Sequence, residues 1–454
     1  MAHESWHEAR LIPTSGINGA DEQERRATSA LLAVMTAVKE YGRSLTHRFG
    51  APAGSVHTFI EVPFLLGEQT VIPDGLIQVT RGSRSWTALV EVKTGQNELA
   101  AGQLENYLDV ARENGFDALI TISNEIPPIA GQHPTKVDRR KTKKVALHHL
   151  SWTQVLAEAV LQKEFRGVAD PDQAWILGEL IRYLEHPRSG AMEFDDMGPT
   201  WVAVRESVRT GTLRSTDKGV DAVANRFDAL LRYASLNLGR QLGTEVTPVL
   251  SRKELTEPAL RTQSLVTTLV SSGTLSGGIR IPSTVGDICV TADLRANTVT
   301  CSVEVDAPRE GRPTTRVNWL VRQLKNAPEE LRVETRLMHQ RGAGPTELLR
   351  TVRESPPSIT GDGAREIKSF QVALTRPMGT KRGRGRGSFI DSVLDAVDAF
   401  YADVVQQIKA WSAAPPRLRT DADAAEIAAE QPEVTPSLVS TAMSSQDDER
   451  AATG

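Results

Sequence analysis

The chain is poor in cysteine, with only Cys289 and Cys301 in 454 residues. Two thiols cannot build a disulfide framework, and no Cys/His cluster has zinc-ligand spacing, so a reducing cytoplasm is the expected compartment. Both cysteines fall on what read as the two arms of one β-hairpin. Long apolar runs are also missing. No stretch approaches the roughly 18 residues of a membrane helix, and residues 1–16 are polar, without the apolar core of a secretory signal. No membrane partner is therefore expected. Internal repeats are absent, and neither charge dominates: 53 Lys+Arg face 57 Asp+Glu, a net of −4. That balance is uneven along the chain. From Ser412 onward three arginines stand against eight acids, which leaves 50 basic and 49 acidic residues before it. The net charge thus excludes no anionic partner, nucleic acid included.

What is present is ordinary globular composition, 39% hydrophobic and 24% charged, long enough for two or three domains at about 100–200 residues each. Residues 1–17 read as a flexible arm. Apolar residues at helical spacing (Leu31, Val34, Met35, Val38) predict one helix over 21–47. Three β-prone runs follow at 58–66, 71–80 and 86–93, then a helix over 97–114 stopped by Gly115, a buried strand at 118–122 and another at 145–150. Ser151 is placed to cap the next helix. A strand-helix-strand passage implies a parallel pair and a compact α/β domain over 18–166. A helical connector is expected over 167–243, with Asp170-Pro171 opening one helix and Gly243 closing another. An α+β domain is expected over 244–411, β-rich from 244 to 376 and interrupted by one helix at 315–326. Ser388 opens a last helix whose seam is Ile390, Val393, Val397, Phe400, Val404, Ile408 and Trp411. Core packing is the expected use of that seam, and a homodimer contact the alternative. Residues 412–454 read as a disordered acidic tail.

Chemistry concentrates between Ile72 and Tyr107. Pro73-Asp74-Gly75 opens the second run, and the third ends Leu89-Val90-Glu91-Val92-Lys93. Strand alternation puts Glu91 and Lys93 on one face and Val90 and Val92 toward the interior. Two carboxylates and a carbonyl make a hard-oxygen site suited to Mg²⁺. A lysine beside it can orient the attacking water or offset phosphate charge.

Asp74 followed after sixteen residues by Glu91-Val92-Lys93 resembles the PD-(D/E)xK nuclease superfamily, with its restriction-endonuclease-like fold. Gln103 and Tyr107, four apart on one helical face, resemble the QxxxY motif of RecB-type exonuclease domains. The resemblance covers about residues 20–155. It implies a metal-dependent nuclease in which Asp74, Glu91 and the Val92 carbonyl bind Mg²⁺ or Mn²⁺ and Lys93 positions the water. Gln103 and Tyr107 would meet the phosphate or the base. It also implies an acid on the first helix, for which Glu24 is the best match and Glu22 the alternative. DNA is the expected partner, with RNA not excluded. By analogy with standalone nucleases, a defence or stress-response effector is expected, its C-terminal domain sensing a protein or small-molecule trigger. A repair or recombination nuclease, or a non-catalytic nucleic-acid-binding protein on the same fold, are the competing readings.

Two basic segments accompany the motif. Lys136, Arg139, Arg140, Lys141, Lys143 and Lys144 could line a phosphate track, against the plainer reading of a solvated loop. The run Lys381-Arg382-Gly383-Arg384-Gly385-Arg386-Gly387 is expected to be flexible enough to follow an anion, and it lacks the spacing of a P-loop. His148-His149 reads as a strand pair, not a ligand set.

Overall fold

The computed structural model describes residues 12, 19–129, 131–340, 342–361 and 365–412. The expected flexible arm and acidic tail fall, apart from Ile12 and Ser412, outside the described residues. Two sheets organise the rest. The first mixes antiparallel and parallel pairs in the order β1-β4-β5-β6-β7. It is preceded by two helices, α1 (Ala20–Ala37) and α2 (Lys39–His47), where the spacing predicts one. They part at Val38, whose extended backbone turns the chain so that Tyr41 and Leu45 join Leu31, Leu32 and Met35 in one core.

The strand runs are also more broken than expected. β1 (Ser55–Ile60) pairs with β4 (Gly75–Arg81), and a small hairpin of β2 (Phe64–Leu66) and β3 (Gln69–Val71) stands between them in sequence. β5 (Arg84–Val92) is antiparallel to β4 and parallel to β6 (Ala118–Ser123), with α3 (Ala101–Glu113) as the crossover. β7 (Ala146–Ser151) adds a second parallel pair. A parallel strand in this position is covered on both faces. Ala88, Val90 and Val92 enter the core shared with α1, while Leu89 enters a second core with Leu104, Tyr107 and Leu108 of α3. α4 (Trp152–Val160) starts at Ser151 in a reciprocal capping box with Gln154, the expected cap. α5 (Pro171–Glu185) opens on Asp170-Pro171 and contributes Leu177, Leu180 and Leu184 to the first core.

α6 (Trp201–Arg209) and α7 (Val220–Leu242) lead to the second sheet, α7 closing on left-handed Gly243. This sheet has seven antiparallel strands. Its chain order is β8 (Thr247–Val249), α8 (Arg252–Thr256), α9 (Pro258–Ser272), β9 (Thr274–Arg280), β10 (Ile288–Asp293) and β11 (Thr298–Asp306). Then follow α10 (Pro313–Gln323), β12 (Arg332–Leu337), β13 (Thr346–Leu348), α11 (Leu349–Glu354), β14 (Ile367–Pro377) and α12 (Phe389–Asp403). The expectation of a single interrupting helix is wrong. α9 is rich in Thr, Ser and Val and reads as β-prone, yet it starts on a proline, buries Leu265, Val266 and Leu269, and ends on left-handed Gly273. The β10–β11 hairpin carries Cys289 exposed and Cys301 buried. Ser388 caps α12 as expected, and Ile390, Val393, Val397, Phe400, Val404 and Ile408 are all buried in the core of this sheet. Those six residues of the seam are therefore core, the expected use; Trp411, the seventh, is only half-buried, and Val404 and Ile408 lie beyond the helix end. Among the described residues no helix is long and apolar enough to cross a membrane.

Candidate active site

Three elements deliver the motif residues to one place. Asp74 sits in the turn just before β4, because the expected second run breaks at Ile72-Pro73. Gly75 follows it where α1 packs close: a Cβ there would meet Leu32 Cδ1 at 2.4 Å. The Asp74 carboxylate accepts the Val92 N–H at 2.7 Å through Oδ2, which ties the turn to the end of β5. Glu91 faces the core under α3 and is 1% exposed. A solvated strand face is thus not its environment. Lys93, just past the strand, places Nζ 2.7 Å from Glu91 Oε1 as an ion pair. The same ammonium donates to Glu24 Oε1 at 2.9 Å and to the Val92 carbonyl at 3.1 Å. The Glu91 pair lies outside hydrogen-bond alignment, so both buried Glu91 oxygens accept no hydrogen bond.

Glu24, on α1, is brought to the site; its other oxygen accepts from Asn97 Nδ2 at 3.3 Å. Glu22, the alternative, instead pairs with Arg26 one turn along. Gln103 and Tyr107 meet each other: Gln103 Nε2 donates to the Tyr107 hydroxyl at 2.9 Å, and that hydroxyl donates to the Ile72 carbonyl at 3.2 Å. The pair therefore holds the backbone two residues before Asp74.

Electrostatics follow from burial. Desolvation, then the Asp74 charge, pushes the Glu91 carboxyl up to about 7 against the pull of Lys93. Desolvation also raises Asp74, offset in part by the Val92 N–H and Lys93. Burial opposes the charged form of Lys93, but Glu91 and Glu24 outweigh it and hold the ammonium above its usual range. Tyr107 is raised by burial and by the Glu91 charge, so it stays a neutral phenol. Two neighbouring carboxyls, of which the buried Glu91 has Oε2 without a partner, are a donor set that a divalent cation would satisfy. Among the described residues no cluster of three or more His, Cys, Asp or Glu side chains is arranged to hold a metal. The third oxygen available here is a backbone one, the Val92 carbonyl.

Other contacts carried no signal in the motif. Trp152 Nε1 donates to the Lys93 carbonyl at 2.9 Å, fixing the backbone that carries the ammonium. Gly190, beyond α5, accepts the Gly95 N–H at 3.0 Å and an Asn124 Nδ2–H at 2.7 Å, pinning the loop after β5. Its φ of +82 and its closeness to Gln23 and Thr94 leave no room for a side chain. A proline-glycine pattern around 187–190 was the one available hint.

The basic segments are less free than expected. Lys141 is bound at 2.5 Å to Asp109 on α3, while Lys136, Arg139, Arg140, Lys143 and Lys144 are exposed. Arg382 pairs with Asp196, and Arg384 pairs with Glu193 and Asp391. The expected flexible anion-following run is thus corrected to a segment latched onto residues 193–197, where the Arg382 carbonyl also accepts the Met197 N–H. His149 lies half-buried between Thr121 and the Glu125 carbonyl, and desolvation lowers it to about 3, so it stays neutral. His148 stacks on Phe49. Comparison of the chain with protein-family models, with curated proteins and with solved structures finds no match.

Proposed function

We propose that the chain is a PD-(D/E)xK-type nuclease that hydrolyses DNA phosphodiester bonds with Mg²⁺ or Mn²⁺. The observation that carries this reading is the convergence of Asp74, Glu91, Lys93 and Glu24, which come from three separate elements, on one cluster around the buried Glu91. The element order supports it too: a helix, an antiparallel meander ending in Glu91-Val92-Lys93, a crossover helix and a parallel strand.

Asp74, Glu91 and the Val92 carbonyl would hold the cation, which when bound supplies a Lewis acid for a phosphoryl oxygen and a water acidic enough to attack at neutral pH. Lys93, kept charged by its two carboxylate neighbours, can hydrogen-bond the water or a non-bridging phosphate oxygen and offset charge that develops there. Glu24 restrains the ammonium, Trp152 restrains its backbone, and Tyr107 with Gln103 restrains the turn before Asp74. The exposed lysines and arginines of 136–144 offer contacts to the nucleic-acid backbone. A role as a defence effector in the cytoplasm belongs to the same reading.

The test is hydrolysis of linear and supercoiled DNA, and of RNA, by the purified full-length chain with Mg²⁺ or Mn²⁺. Asp74→Ala and Lys93→Ala should abolish cleavage. Cleavage at the wild-type rate in both variants ends the assignment, and metal binding without cleavage moves it to a non-catalytic binding protein.

A further inference from the structure

Away from this cluster, a cavity of about 420 Å³ opens between α4, α7 and the segment around β8. That volume is within the range of about 300–1,000 Å³ in which small molecules are bound. Four arginines line it, Arg48, Arg166, Arg232 and Arg280, against two glutamates, Glu158 and Glu245. Three of the four are already matched. Arg48 lies 2.9 Å from Glu158, Arg166 pairs with the other oxygen of Glu158, and Arg280 lies 2.7 Å from Asp287.

Arg232 differs. It is 6% exposed, and its hydrogen bonds all come from Nη1, to the carbonyls of Pro127 at 2.9 Å and Ile129 at 3.4 Å. Among the described residues no carboxylate pairs with it. Burial, and then the charge of Arg48, lowers it to about 10, the direction expected of a guanidinium held without an anion. Charges are rarely buried without a partner. Nε and Nη2 therefore stand as unused donors on a residue that lines the cavity. The remaining wall is mixed: Leu161, Leu236, Val249 and Leu255 give it an apolar side, and Gln154, Ser235 and Thr247 a polar one.

We infer that this cavity binds a small phosphate monoester with an apolar or aromatic body, of nucleoside-monophosphate size, with the phosphate on Arg232. Guanidinium forks match phosphate oxygens in bidentate fashion, and several arginines around one group favour a doubly charged, three-oxygen head over a carboxylate. The leucine and valine wall would take the body. Arg166, half-exposed at the rim, can turn from Glu158 toward the ligand. The inference stands apart from the nuclease reading, since none of these side chains belongs to the Asp74 cluster.

The experiment uses the full-length protein, with adenosine 5′-monophosphate, inorganic phosphate, adenosine and succinate as probes in calorimetry and thermal unfolding. Adenosine 5′-monophosphate should bind and raise the unfolding temperature, adenosine should not, and Arg232→Met should remove the effect. Arg166→Glu, a change at a half-exposed position whose folding the same unfolding measurement checks, should weaken binding by about tenfold or more by adding a carboxylate beside the phosphate. It carries the test if Arg232→Met does not fold. Absence of binding, equal binding in Arg166→Glu and wild type, or tighter binding of succinate than of the nucleotide would each overturn the inference.

Discussion

Glu91 is a buried acid whose ionisation works against folding, and Glu91→Gln isolates that effect. Its carboxyl rises from 4.5 to about 7. At about 1.4 kcal/mol per pH unit, this comes to about 3 kcal/mol between the protonated and ionised forms. The folded state holds the proton more tightly than the unfolded chain. The contribution is therefore fully present below pH 4.5 and is lost as pH rises through 7. Urea unfolding of wild type and Glu91→Gln in chelator, at several pH values from 5 to 8.5, should show wild type losing about 2.5 kcal/mol relative to the variant over that interval, the first part having been lost below pH 5. Titrations common to both chains cancel in the difference. Added Mn²⁺ should restore stability to the wild type chiefly above pH 7, where the acid has lost its proton. Parallel pH curves for the two proteins, or a wild type that gains on the variant as pH rises, would refute the reasoning.

Tyr107→Phe leaves the Ile72 carbonyl without its hydroxyl donor and frees Gln103; a loss of about 1 kcal/mol in urea unfolding is expected, with cleavage falling through kcat more than KM. Gly190→Ala forces a side chain into a left-handed position already crowded by Gln23 and Thr94. It should cost about 2–4 kcal/mol in the same assay and loosen the loop after β5, seen as faster amide exchange at Gly95. Ser151→Ala removes the Oγ half of a reciprocal cap and should cost about 1 kcal/mol without altering metal affinity.

Local signals were legible where a short stretch of sequence carries its own physics. The caps at Ser151, Asp170 and Ser388, the glycine stop at Gly243, and the strand-helix-strand passage through α3 all appear where spacing and residue type place them. The motif acids and Lys93 also meet as their spacing implied. What escaped depends on contacts between distant segments. Val38 breaks a helix whose apolar periodicity runs on across it, because α2 must turn to bury Tyr41 and Leu45. α9 has β-prone residues and becomes helical through packing of one face. Trp152 and Gly190 reach the site from 59 and more residues away in sequence, and no periodicity marks such a contact. The charge pattern misled at 381–387, since its acidic partners at 193–196 are nearly two hundred residues earlier.

The proposed nuclease activity requires that Asp74, Glu91 and the Val92 carbonyl form one divalent-cation site. Calorimetric titration of Mn²⁺ into the full-length chain above pH 7, for wild type and Asp74→Asn, tests it most directly. Wild type should bind, more weakly and with growing release of protons as pH is lowered through 7, and Asp74→Asn should lose that binding. A variant that binds Mn²⁺ as wild type does, or a wild type that binds none, would contradict it.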